Sequence, residues 1–185
     1  MEYKLKKENH DFWVERLKKN HERQVCTNDI AFDDVEDNEI LKRVQSNKSI
    51  LEIGCGNGVL YSKLSNRLDN LSYLGTDFVK DLVNVCEKRS KSKDHNFIQL
   101  DMTDINKSTF DKKYDFIISK RAIQNVLEER LQIQTIENLG HFLKDDGLMI
   151  LVESSATAQN RLNIAREKYN LDKIIPPFHN LFFDD

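Results

Sequence analysis

From Ser49 to Val152, short apolar runs alternate with longer amphipathic stretches, and that alternation leaves few folds open. The runs predict strands at Ile50–Ile53, Tyr73–Thr76, Asn96–Leu100, Phe116–Ser119 and Leu148–Val152. The stretches predict helices at Leu60–Leu68, Lys80–Ser90 and Glu128–Leu143; along the last, Leu127, Leu131, Ile136, Leu139 and Leu143 form one stripe. Strand, helix, strand, repeated, means parallel strands joined by crossover helices, hence an α/β protein with a doubly wound, mostly parallel sheet. Upstream, Phe12, Trp13 and Leu17 predict a helix from Asp11 to Lys19, and Ile40, Leu41 and Val44 a short one from Asn38 to Val44. The polar, acidic segment between them, Cys26–Asp37, reads as a loop. A helix from Thr157 to Tyr169 leads into a tail, Asn170–Asp185. The chain's 185 residues, 39% of them hydrophobic, suffice for one core. One domain is expected over 1–185: a helical cap (1–48), a core (49–155) and a C-terminal helix and tail (156–185).

Charge and cysteine content narrow the function. Lys and Arg total 28 against 31 Asp and Glu, a net charge of −3, with the signs interspersed. A chain that neutralises phosphates shows a basic stripe, so nucleic acid is disfavoured as a partner. Cys26, Cys55 and Cys86 are scattered rather than paired as CxxC, which fits free thiols in a reducing compartment and predicts no metal site. No apolar run is long enough for a membrane span, and the first nine residues lack a signal peptide's hydrophobic segment, so a cytoplasmic protein is expected.

Gly54, Gly56 and Gly58 follow the first predicted strand and precede a helix, so the chain turns tightly where a ligand approaches the carboxyl end of the sheet. A dinucleotide loop needs a third small residue at position 59, where this chain has Val59. Glu52, two residues before the first glycine, would repel a pyrophosphate and suit a cation. Asp77 ends the second strand, where a carboxylate could accept hydrogen bonds from both ribose hydroxyls. Asp101 ends the third, where it could meet an adenine amino group with Met102 against the base. Glu52 could instead cap the following turn, and Asp101 a helix beginning near Thr103.

These residues resemble the class I S-adenosylmethionine-dependent methyltransferases, with their Rossmann-like sheet. ILEIGCGNG looks like the family's first motif, YLGTD its second acidic position, FIQLDMTDI its third and YDFIISKRAIQNVL its fourth, with FLKDDGLMILVES at the fifth strand. The resemblance implies S-adenosylmethionine as cofactor, bound by Glu52, Gly54, Cys55, Gly56, Gly58, Asp77, Phe78, Asp101, Met102, Thr103 and Ser119. Lys120, Arg121 and Asn180 are expected toward the substrate. The segments KRAIQNV, VESSATAQNRLNIAREKYNL and IIPPFHNLFFDD look like a bacterial subgroup associated with polysaccharide or modified-sugar biosynthesis, implying a small-molecule or glycan-precursor acceptor, methylated at oxygen. Members of the fold close with two further strands, so the resemblance implies a truncated C-terminus. The fifth strand is then an exposed edge open to a partner chain or a second copy.

Methyl transfer needs the two reactants held in line and water excluded, and a hydroxyl acceptor needs a group to take its proton. His179, after the rigid Pro176–Pro177 pair, is the candidate base if the tail returns over the sheet; it could equally be a packing residue. Arg121 could pair with an anionic substrate or with Glu153. Trp13 and Arg16 lie one helical turn apart where the fold often lays a helix over the cofactor, though Trp13 reads first as a packing residue; His141 is expected within a helix as a structural residue. Two other readings stay open: a catalytically weak or inactive cofactor- or partner-binding module of the same fold, and a nucleotide-dependent oxidoreductase, which Val59 and Glu52 disfavour.

Overall fold

The computed structural model describes residues 2–20 and 22–184; positions 1, 21 and 185 of the expected 1–185 domain lie outside them. Five strands, β1 (Ser49–Ile53), β2 (Ser72–Asp77), β3 (His95–Gln99), β4 (Tyr114–Lys120) and β5 (Leu143–Val152), form one sheet in the order β3-β2-β1-β4-β5. Every pairing among them is parallel. Helices α3 (Val59–Arg67), α4 (Lys80–Arg89) and α5 (Glu129–Gly140) carry the crossovers, preceded by α1 (Glu2–Lys19) and α2 (Ile30–Leu41) and followed by α6 (Ala156–Lys168).

Strand residues alternate between two apolar layers because successive side chains leave opposite faces. Ile50, Phe116 and Ile118 pack with Leu60, Tyr61, Leu64 and Val83 of α3 and α4 on one face. Leu51, Ile53 and Ile117 pack with Ile105, Leu139 and Phe142 on the other. Both faces are covered, so the central strands read as nearly continuous apolar runs. Glu52 breaks that run and is itself buried.

Two expectations at the amino end are corrected. The segment 26–37 is not a loop: α2 occupies most of it, capped where the Asp29 carboxylate accepts the Phe32 N–H at 2.9 Å. Its buried positions are Asp33, Glu36, Asp37, Ile40 and Leu41, the i, i+3, i+4, i+7, i+8 pattern of a helix face written largely in carboxylates. Apolar periodicity therefore finds only its last turn. Likewise α1 begins well before Asp11, its extra turns facing the site through Leu5, Lys6 and Asn9. Farther on, α5 ends at Gly140, leaving His141 as its C-cap, and Leu143 pairs with Tyr114 at the start of β5.

The tail returns to the carboxyl end of the sheet. Phe183 N–H donates to Ser154 O at 3.0 Å and Leu181 N–H to Gln124 O at 2.7 Å, while the Gln132 amide donates to Leu181 O at 2.9 Å. No strand lies beyond β5 among the described residues, and Leu148 and Leu151 on it are exposed. Among the described residues, no helix is long and apolar enough to cross a membrane, and no cluster of three or more His, Cys, Asp or Glu could hold a metal ion.

Candidate functional site

β1 pairs with β2 on one side and β4 on the other, with Ile53 level with both Thr76 and Ser119, so three strand ends open onto one crevice. The order of strands reverses there, which is where doubly wound sheets bind ligands. The crevice holds a cavity of about 430 Å³. Glu52, Gly54, Cys55, Gly56, Asp77, Phe78, Asp101, Met102, Thr103, Lys120 and Arg121 all line it.

The glycine turn has a geometric requirement. Gly54, Gly56 and Gly58 have φ of +70°, +55° and +77°, the left-handed region that side chains resist. A Cβ on Gly54 would sit inside the Ala122 methyl, and one on Gly56 would come within 2.7 Å of Cys26 Sγ. Gly58 does not line the cavity; it starts α3 and packs on Cys86.

Asp77 ties the turn to the next strand. Its Oδ2 accepts the Gly56 N–H at 2.8 Å and its Oδ1 the Val79 N–H at 2.9 Å. Burial pushes its pKa up to about 6, against the pull of these backbone bonds. Glu52 is more extreme: burial raises it to about 8, only partly offset by Lys120, and its Oε2 has no partner among the described residues.

Asp101 does what a capping residue does. Its Oδ1 accepts the Thr103 N–H at 2.9 Å and hydroxyl at 2.7 Å, heading the 3₁₀ turn Met102–Asp104. Lys6 Nζ of α1 sits 3.1 Å from Oδ2. Burial opposes its ionisation, but the Thr103 and Lys6 bonds win and hold its pKa below the ordinary carboxylate value. Ser119 is fully buried behind the cavity wall, where its hydroxyl donates to Glu153 at 2.7 Å. It is not among the residues that line the cavity.

Lys120 and Arg121 reach the cavity wall, but α2 holds their charges. Lys120 Nζ is 2.7 Å from Asp33 Oδ1 and also bonds Asp37; Arg121 Nη2 is 2.7 Å from Asp33 Oδ1, and its Nε 3.2 Å from Glu36 Oε2. Arg23 takes the other Asp33 oxygen at 2.7 Å. Burial raises the Asp33 pKa and the Lys120 and Arg23 bonds lower it, with the lowering larger. Arg121 therefore does not pair with Glu153, which instead accepts the N–H groups of Ala122, Ile123 and Gln124. Arg121 itself sits at φ +53°, a strained conformation for a residue with a side chain.

His179 and Asn180 lie outside this cavity. They line a second one of about 230 Å³, together with Trp13, Cys26, Phe32, Arg121, Gln124, Asn125 and Ser154. Trp13, Cys26, Arg121 and Asn125 belong to both walls. The His179 ring stacks on Phe12 at 4.0 Å and meets Trp13 edge-on at 5.5 Å. Burial first, and the Arg16 charge second, lower its pKa to about 4, so it is neutral at pH 7. Arg16 itself turns away from the cavity to the Gln24 and Val25 carbonyls. Sequence reasoning missed Asn9, Asp33 and Asn125; the Asp29 cap and the i, i+3, i+4 acids were the signal for α2.

Comparison with known proteins agrees with this geometry. A model of the methyltransferase domain family matches residues 44–175, well over half of the chain. The chain belongs to that family. Curated relatives include malonyl-[acyl-carrier protein] O-methyltransferase 2 of Ilyobacter polytropus, 34% identical over 103 residues, covering 55% of this chain and 38% of the relative. A malonyl-[acyl-carrier protein] O-methyltransferase of Bacillus anthracis is 32% identical over 59% of this chain and 39% of its own length. The chain thus spans about two fifths of these relatives. Among solved structures, the phosphoethanolamine N-methyltransferase 1 of Haemonchus contortus superposes with a TM-score of 0.69 at 20% identity, covering 84% of this chain and 34% of that one. The TehB-like methyltransferase of Corynebacterium glutamicum gives a TM-score of 0.57 at 20% identity, over 77% and 71%. The fold is that of the Rossmann-like methyltransferases.

Proposed function

We propose that this methyltransferase-family chain binds S-adenosylmethionine in the larger cavity and methylates an oxygen of a small acceptor. The observation that carries the reading is the buried, partnerless Glu52 oxygen beside a turn of left-handed glycines at the ends of β1, β2 and β4. A carboxylate that burial keeps protonated up to about pH 8 is a poor neighbour for pyrophosphate only once ionised, and a cation drives that ionisation. Val59 also lines the cavity at the first turn of α3, where a dinucleotide's pyrophosphate would need room. When bound, S-adenosylmethionine supplies a methyl group already activated by its sulfonium.

The chain's own groups then have distinct tasks. Asp77 holds the Gly56 amide and offers remaining lone pairs to ribose hydroxyls. Met102, Phe78 and Leu82 give the apolar wall an adenine needs. Trp13 and Asn9 of α1 close the side facing solvent, excluding water from the reacting atoms. His179, neutral and with Nδ1 unpartnered, is the residue to orient an acceptor hydroxyl in the second cavity by accepting its hydrogen bond, while its lowered pKa makes it a weak base.

The relatives' names support oxygen as the acceptor atom: they methylate malonyl-[acyl-carrier protein], and a ubiquinone biosynthesis O-methyltransferase of Glaesserella parasuis is 28% identical over 72% of this chain. A sugar acceptor, expected from the C-terminal segments, has no counterpart among those names. Titration calorimetry with S-adenosylmethionine, S-adenosylhomocysteine and NAD tests the cofactor: micromolar binding of the first two is expected, and binding of NAD alone overturns the reading.

A further inference from the structure

The second cavity is built differently from the first, and the difference selects a ligand. Its walls include aromatic surface, from Trp13, Phe32 and His179, and three of its lining residues carry a buried polar atom with no partner among the described residues: Asn125 Oδ1, His179 Nδ1 and Asn180 Oδ1. A buried polar group left without any partner costs about 1–3 kcal/mol, so a ligand whose donors match these oxygens is favoured over one without them. The Asn125 amide is oriented by its own nitrogen, which donates to Arg121 O at 2.8 Å and Ala122 O at 3.3 Å. Its oxygen is therefore the free end, and it calls for a donor. Gln124 Oε1 already accepts the Ser154 N–H at 2.9 Å.

Among the described residues, the one full positive charge on this wall, Arg121, is already engaged. Arg121 Nε faces Glu36 at 3.2 Å, Nη2 faces Asp33 at 2.7 Å and Nη1 donates to Thr27 Oγ1 at 3.2 Å. All three guanidinium nitrogens turn to α2 and its neighbourhood, with two carboxylates balancing the charge. A carboxylate in this cavity would meet two amide oxygens that have nothing to give it and a cation already neutralised.

We infer that the second cavity is the acceptor subsite and takes a small, neutral, planar molecule bearing hydroxyl groups, not a carboxylate. Hydroxyls donate to Asn125 Oδ1 and Asn180 Oδ1, and a flat ring packs against Trp13. The inference rests on the cofactor reading only in calling the bound molecule an acceptor, because Trp13, Cys26, Arg121 and Asn125 join the two cavities. It sets this chain apart from relatives named for a malonyl group.

Calorimetry of the full 185-residue chain tests it, with catechol as the neutral probe and monomethyl malonate as the carboxylate, each titrated with and without saturating S-adenosylhomocysteine. Catechol should bind about tenfold or more tighter than monomethyl malonate, and Asn180→Leu should weaken catechol about tenfold while S-adenosylhomocysteine binding, which reports an intact fold, stays unchanged. Monomethyl malonate binding as well as catechol, absence of catechol binding, or catechol affinity unmoved by Asn180→Leu overturns the inference. Catechol binding as expected in a chain that ignores S-adenosylhomocysteine defeats the cofactor reading and leaves the neutral site standing.

Discussion

Asp77 bridges the glycine turn and the head of α4, one oxygen accepting the Gly56 N–H at 2.8 Å and the other the Val79 N–H at 2.9 Å. A residue that positions the loop and faces the ligand loses both tasks when truncated. Asp77→Ala should weaken S-adenosylmethionine by about 1.5–3 kcal/mol, one to two orders of magnitude in Kd by calorimetry. Unchanged affinity removes it from the site.

Glu52 makes stability depend on pH in a defined direction. The unfolded carboxyl loses its proton near pH 4.5, whereas the folded one keeps it to about pH 8, so the native state binds more protons in between and stability declines as pH rises. Asp77, raised to about 6, acts in the same direction below that pH, and His179, lowered from 6.5 to about 4, acts against both. From pH 6.5 to 8, Glu52 is the one of the three in transit. Urea unfolding should therefore show a loss of up to about 1.4 kcal/mol per pH unit there, absent in Glu52→Gln.

Proton release on ligand binding follows from the same group. A cationic ligand beside Glu52 favours its ionised form, so binding S-adenosylmethionine at pH 7 should expel a proton, read as a heat that changes with the buffer's ionisation enthalpy. S-adenosylhomocysteine, lacking the sulfonium charge, should expel less. Equal release by both ligands would place the sulfonium away from Glu52.

Asp33 holds Lys120, Arg121 and Arg23 at once. Asp33→Ala leaves largely buried cations without their partner and should cost roughly 3–5 kcal/mol by chemical denaturation. Asp34, which pairs with Arg23 and Lys63 but is half exposed, should cost far less than Asp33 when changed to Ala, because solvent screens its ion pairs.

Two glycines should respond oppositely to alanine. Gly54→Ala forces a side chain into the left-handed region and into the Ala122 methyl, and should destabilise the fold and abolish cofactor binding. A Cβ on Gly140, in the last turn of α5, meets nothing within 4 Å, and Gly140→Ala should raise stability by about 0.5–1 kcal/mol. Melting temperatures of the two variants read both.

The five strands, their parallel sheet and the three core helices were legible because their buried faces are apolar, so period and burial coincide. They part company where burial is ionic. In α2 the inward face carries Asp33, Glu36 and Asp37, partners for cations some 85 residues away, and no local pattern announces such partners. The site residues followed the same division. The strand-end positions of Glu52 and the first two glycines and the Asp101 cap on Thr103 are local and could be read, whereas Ser119 donates to Glu153, a neighbour brought in by the fold. The second cavity depends on a tail pinned by Gln132, a polar residue inside an otherwise apolar helix stripe.

The central strand of the sheet is the first one in the chain, and this dictates when the binding crevice can exist. On one side β1 meets a strand 24 residues on; on the other its partner lies 66 residues downstream. While the chain is being made, Glu52 and the glycine turn leave the ribosome long before β4 arrives to supply the opposite wall. Until then Glu52 and the glycine turn belong to a strand with one side unpaired, and the β1–β4 pairing, onto which β5 then adds, brings in the opposite wall of the cavity.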